Sequence, residues 1–231
     1  MKRILIYLIL GLFISSCESN EDKESRLMLD KYVRKINSLT LDIVTSRNDE
    51  GSQSQLTLND FYLRYTEKVE GFNDNLVMEK MSEKYSKRRD DLSDISRTLM
   101  EYLNKRKNGI QYLSNSFSKH KEAADYQKRY DEYLEKIGVS YSLDTYYREM
   151  AFDYANKKYN TRLKFQYNRL DYYDQLLELS TISKEIVTQS NVYNTELEKL
   201  KLLETLNIPI DFSNISTDWL FISKKKVESL N

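Results

Sequence analysis

The sequence predicts an all-α protein: an elongated, antiparallel, coiled-coil-like helical bundle of three to four long helices plus a short C-terminal helix. Three observations lead there. One Pro and five Gly in 231 residues, against average usage of about 5% and 7%, leave too few turn formers for a sandwich or barrel. Charged residues make up 31% of the chain and are spread through it, as on solvated helix faces. Apolar residues recur at spacings of three and four, and in places at strict sevens. Nineteen tyrosines are unusual. Tyr is mildly unfavourable in helices, so packing rather than propensity has to fix these segments.

The N-terminus reads as a processing segment, residues 1–16. Lys2 and Arg3 precede an apolar run from Ile4 to Ile14, interrupted only by Gly11. Eleven residues suit a signal sequence and are too few to span a bilayer, which takes about 20. The run ends in Ile14-Ser15-Ser16-Cys17. This stretch resembles the lipobox of bacterial lipoproteins with type II signal peptides: a branched apolar residue, two small residues, then Cys. The resemblance covers residues 1–17 alone. It implies cleavage before Cys17, diacylglycerol on its thiol, and acylation of the new N-terminus with a fatty acid such as palmitate. It also implies a cell-envelope location, the outer membrane (periplasmic or surface leaflet) ahead of the cytoplasmic membrane. Cys17 is the only Cys in the chain, so no intrachain disulfide exists. Residues 17–24 are expected to form an acidic polar tether, and this tether resembles the surface-export signals of Bacteroidota lipoproteins.

Residues 25–231 are expected to form a single domain. A first helix over about 25–47 carries Leu29, Ile36 and Ile43 at sevens. A polar loop follows at Asn48 to Gln55. Thr57 is a plausible N-cap for a helix over about 57–107, with Leu58, Tyr62, Tyr65, Val69, Phe72 and Leu76 on one stripe. That stripe drifts near Met78 and Met81, as at a coiled-coil stutter, and resumes as Tyr85, Leu92, Ile95, Leu99 and Tyr102. A true break near Gly71 or Asn73-Asp74-Asn75 is the alternative. Asn108-Gly109 suits a helix stop, with a third helix over about 110–137 ended by Gly138. Ser142 or Asp144 caps a fourth over about 142–206, kinked near Asn156 to Thr161. Its stripe takes in Tyr147, Met150, Tyr154, Leu163, Leu170, Tyr173 and Leu177, then Leu179, Ile186, Tyr193 and Leu200 at sevens. Pro209 ends the pattern, and Trp219, Leu220 and Val227 are expected on a short helix over about 217–229.

The function classes that composition disfavours are clear. Lys2 and Arg3 account for two of 36 basic residues, which leaves 34 against 36 acidic. That balance does not predict nucleic-acid binding. His120 is the only His, so Cys/His nucleophilic pairs and the usual zinc sites are missing. No Glu-x-x-His, G-x-S-x-G, Walker A or dinucleotide-binding pattern occurs. Carboxylates such as Asp90-Asp91, Asp131-Glu132 and Asp171/Asp174 do not converge within one helix. The expectation is a protein that is not an enzyme and carries no catalytic residue, cofactor or metal. Its expected partners are a membrane, through lipid on Cys17, and a protein or a second copy of itself. The candidate interaction surface is Tyr146, Tyr147, Tyr172 and Tyr173, since exposed Tyr combines a rigid ring with a hydrogen-bonding hydroxyl. A ligand- or glycan-binding protein built on the same tyrosines is the alternative.

Overall fold

A computed structural model describes residues 19–47, 55–201 and 208–212. The fold is all-α: among these residues there are four long helices and no strand. They are α1 (Asn20–Arg47), α2 (Gln55–Met78), α3 (Glu83–Lys136) and α4 (Asp144–Lys201), with one turn of 3-10 helix at Tyr141–Leu143. The signal segment with Cys17, the loop at 48–54 and the tail with Trp219, Leu220 and Val227 lie outside the described residues. None of the described helices is long and apolar enough to cross a membrane.

The described residues fall into two compact units. The first comprises 19–47, 64–103, 182–201 and 208–212, so all four helices contribute to it. Its core is Leu29, Val33, Ile36 and Ile43 from α1, Val69, Phe72 and Leu76 from α2, Leu92, Ile95 and Leu99 from α3, and Ile182, Ile186, Tyr193 and Leu197 from α4. Leu200, on the same heptad row as Ile186 and Tyr193, is half-buried.

Two polar devices close this unit. At one, Ser19 caps α1 by accepting the Asp22 N–H at 3.0 Å. The helix therefore starts at Asn20, inside the stretch expected to be a tether. Asp22 and Ser25 then reach the turn between α2 and α3. The Ser82 N–H donates to Ser25 Oγ at 2.9 Å and Ser82 Oγ donates to Asp22, while the Tyr32 hydroxyl donates to Glu79 at 2.9 Å. Ser82 immediately precedes α3, its carbonyl accepting from Tyr85 and Ser86. So the drift near Met78 and Met81 is a real break at 79–82, neither a stutter nor a break at Gly71 or Asn73-Asp74-Asn75. Asn73 is helical and accepts from Ser93 and Ser96 at 2.7 and 2.8 Å. At the other device, Asn194 exchanges two hydrogen bonds with Ile210, and Asn37 brackets it through Pro209 and Asp211. Ile210 and Phe212 are thereby held in the core.

The second unit comprises 55–63, 104–136 and 137–181. Tyr62, Arg106 and Ile110 are buried where α2 meets α3. Further along, α3 and α4 run antiparallel, paired from Lys105–Glu178 to Tyr133–Tyr147. Gly138, at φ +84°, ends the helical run after α3, as the left-handed position after a helix requires. Its N–H donates to Asp144 at 2.8 Å, and that carboxylate also binds Arg148 at 2.8 Å.

The expected stop at Asn108-Gly109 is not a stop. α3 runs unbroken from Glu83 to Lys136, because Leu103, Arg106, Ile110 and Ser116 around the dipeptide are buried against neighbouring helices and tertiary packing overrides local propensity. α4 is likewise one continuous helix past Asn156–Thr161. A Cβ at Gly109 would stand 3.6 Å from the Cβ of Gln175, an ordinary contact. Gly109→Ala is therefore expected to raise the unfolding free energy by about 0.5–1 kcal/mol, read by urea denaturation. A loss of stability would mean that residue 109 sits in a turn.

Candidate interaction surface

The second unit carries two features that reach solvent, a tyrosine cluster where α3 and α4 meet and an apolar row along α4. At 100° per residue, the inward face of α4 holds Tyr147, Ala151, Tyr154, Thr161, Phe165, Tyr172 and Leu176. Ala151, Thr161, Phe165, Tyr172 and Leu176 are buried, and Tyr147 and Tyr154 are half-buried.

Leu163, Leu170 and Leu177 were expected on that stripe. They are not: each lies about 120–180° from Phe165 and Tyr172 around the helix, and they are 38%, 59% and 69% exposed. Phe152, Tyr159 and Tyr167 share their face at 69%, 63% and 63% exposure. Six apolar or aromatic side chains thus form one solvent-facing row on α4 within this unit.

The tyrosines expected at a surface divide. Tyr146 is exposed, Tyr147 and Tyr173 are half-buried, and Tyr172 is 1% exposed. In each adjacent pair one ring turns inward, because neighbours on a helix point about 100° apart. Tyr172 is therefore a core residue and is withdrawn from the candidate surface. Tyr146 and Tyr147 belong to a cluster with Tyr133, Tyr154 and Tyr126. Tyr133 stacks on Tyr154 at 5.6 Å and 13°, and meets Tyr146 and Tyr147 at 6.4 Å. Lys136, Lys157 and Arg129 lie over these rings at 5.0–5.8 Å. Partial burial, with the hydroxyl of Tyr146 alongside, raises the Tyr133 phenol above its ordinary range. The cluster closes the α3/α4 seam where few aliphatic residues are available.

A groove of about 470 Å³ runs between α3 and α4, lined by His120, Ala123, Ala124 and Gln127 on one side and Arg162, Phe165, Gln166 and Arg169 on the other. It contains no tyrosine. His120 is exposed and lies against the Phe165 ring at 5.5 Å, and Arg169 lies over the same ring at 5.3 Å. Among the described residues no three His, Cys, Asp or Glu side chains converge as a metal would need.

In the first unit, Asp30, Arg88 and Tyr193 are buried together. Arg88 meets Asp91 at 2.9 Å and Glu196 at 3.8 Å. Burial pushes the Tyr193 phenol well up, with Asp30 adding to the effect, and burial also raises the Asp91 carboxyl against the pull of Arg88. Asp30 accepts from the Ile208 N–H at 3.3 Å. The cluster fixes α1, α3 and α4 to the segment 208–212. Nothing in the sequence pattern marks it, because its members lie on three helices.

Comparison of the chain with family models, with characterised proteins and with solved structures gives no significant match. The outward row on α4 is therefore read from its own chemistry. If Tyr172 is core and Tyr146 is not, Tyr172→Ala costs about 3–5 kcal/mol and Tyr146→Ala about 1 kcal/mol or less, measured by denaturant unfolding.

Proposed function

We propose that this protein is a lipid-anchored, non-enzymatic interaction module of the cell envelope. In this reading Cys17 carries the lipid, and the outer face of α4 receives another protein chain. The observation that carries the reading is the row Phe152, Tyr159, Leu163, Tyr167, Leu170 and Leu177, exposed along one helix face. Scattered exposed apolar residues are ordinary, but a contiguous row rimmed by charge marks an interaction surface. Tyr and Phe are enriched at such surfaces, where a large ring is buried at small entropic cost.

The membrane part rests on Ile14-Ser15-Ser16-Cys17 behind the apolar run. Two or three acyl chains give stable anchoring, at about 0.8 kcal/mol per buried CH2. α1 is capped by Ser19, so Glu18 alone separates Cys17 from the cap. An anchor so close to the first helix would hold the domain at the bilayer surface rather than on a long leash. The ligand- or glycan-binding alternative gains no support from the α3/α4 groove, which lacks the tyrosines it requires.

Two variants test the reading separately. Cys17→Ala is expected to abolish labelling by radioactive palmitate and leave the precursor uncleaved; unchanged labelling refutes the anchor. Leu170→Asp is expected to keep the helical circular-dichroism spectrum and labelling of the native protein while losing whatever protein wild type retains in detergent extracts. Equal retention by both refutes the role of the α4 face.

A further inference from the structure

The groove between α3 and α4 is lined by one spacing repeated on both helices. His120, Ala124 and Gln127 on α3, and Arg162, Gln166 and Arg169 on α4, lie four and then three residues apart, so each trio occupies one flank of its helix. With Ala123 and Phe165 they bound a space of about 470 Å³, within the range of small-molecule sites. The two alanines open it, because a methyl group leaves inter-helix space that a longer side chain would fill. Phe165, 5% exposed, forms the floor, with His120 against its ring at 5.5 Å and Arg169 over it at 5.3 Å. None of the lining residues is acidic. Gln127 closes one end, its amide oxygen accepting from Lys158 and its amide nitrogen donating to Asp131 at 2.7 Å. Among the described residues Arg162 and Gln166 form no hydrogen bond or ion pair, and His120 has only its contact with Phe165.

We infer that this groove binds a small organic phosphate, its oxygens held by Arg162, Arg169 and His120. Each guanidinium is a planar fork that takes two phosphate oxygens at once, and it keeps its charge at any physiological pH. Two such forks and an imidazole surround more oxygen than the two atoms of a carboxylate supply, whereas a phosphate brings three. A phosphate monoester carries a charge of about −1.5 to −2 near pH 7, which two arginines balance. Arg162 breaks no ion pair to receive it, and Gln166, one turn further along α4, adds a neutral amide donor. The alanine methyl groups and the flat imidazole and guanidinium faces leave the rest of the groove to an apolar, preferably aromatic, body. A soluble phosphomonoester and the phosphodiester of a lipid headgroup share this chemistry. The site shares no residue with the outer row of α4 and does not depend on what that row receives. Its donors are basic groups rather than tyrosines, which separates it from a glycan-binding surface.

The test titrates 1-naphthyl phosphate into the full-length protein in neutral detergent, followed by calorimetry and by nuclear magnetic resonance of the histidine. His120 is the only His, so a single imidazole resonance reports on the groove. Wild type should bind one equivalent saturably, and the His120 resonance should move in step with the heat. Arg162→Gln should weaken binding at least tenfold, and Ala124→Phe, which fills the groove without changing its charge, should do the same. Lys164→Gln removes an equal charge from α4 at a residue that does not line the groove, and should bind as wild type does. Dibutanoyl phosphatidylglycerol, a soluble lipid, distinguishes the sources. Displacement of the probe at concentrations below those at which the probe itself binds assigns the groove to a lipid headgroup, and weaker displacement assigns it to a soluble phosphomonoester; both keep the site. No saturable binding of either compound at millimolar concentration overturns the proposal. So does an equal loss in Lys164→Gln and Arg162→Gln, which would mean diffuse attraction to a basic helix. Binding that persists in both Arg162→Gln and Ala124→Phe, with the His120 resonance unmoved, places the phosphate elsewhere and overturns it as well.

Discussion

Helix α4 is apolar on two opposite faces in the second unit, and burying the inner one is what that unit depends on. Among the described residues it has two antiparallel helices over most of its length, and their shared seam is what they fill. Ala151, Thr161, Phe165, Tyr172 and Leu176 fill it from α4, and the tyrosine cluster of Tyr126, Tyr133, Tyr147 and Tyr154 completes it. A ring reaches across a wide seam where Leu would leave a void, and its hydroxyl stays at the solvent edge. Tyr is not confined to that seam: Tyr32, Tyr65, Tyr85, Tyr102 and Tyr193 are buried in the first unit. The first unit has four helices to share its core, and there Leu, Ile and Val dominate.

Much of this architecture is legible in the sequence, because helix periodicity survives any context. The rows Leu29–Ile36–Ile43, Tyr62–Tyr65–Val69–Phe72–Leu76 and Tyr85–Leu92–Ile95–Leu99 are buried on the faces their spacing implies. Periodicity reports that residues share a face; it does not report which face is covered. Leu163–Leu170–Leu177 and Leu179–Ile186–Tyr193 have the same seven-residue spacing, yet the first row is exposed and the second buried. Their phases differ by about 160°, too much for one stripe.

Local punctuation misled in both directions for a related reason. Asn108-Gly109 has the chemistry of a stop, but buried neighbours at Leu103, Arg106 and Ile110 carry the helix through it. The stretch at 79–82 has no Gly or Pro, yet the chain breaks there because Asp22, Ser25 and Tyr32 of α1 supply partners for Ser82 and Glu79. Those partners are about 50–60 residues away in sequence, beyond the reach of any local signal. The buried set Asp30, Arg88 and Tyr193 was illegible for the same reason. The outer row on α4 is different: its residues are written in one stretch from Phe152 to Leu177, and only the knowledge that this face looks outward was missing.

Leu176 and Leu177 are adjacent, chemically identical, and 8% and 69% exposed. Comparing their replacement by Ala separates the two faces of α4 within one turn of helix. At high dilution, Leu176→Ala should cost about 2–5 kcal/mol of unfolding free energy and Leu177→Ala less than about 0.5 kcal/mol. Equal losses at high dilution would contradict the account, because both faces of α4 would then be core.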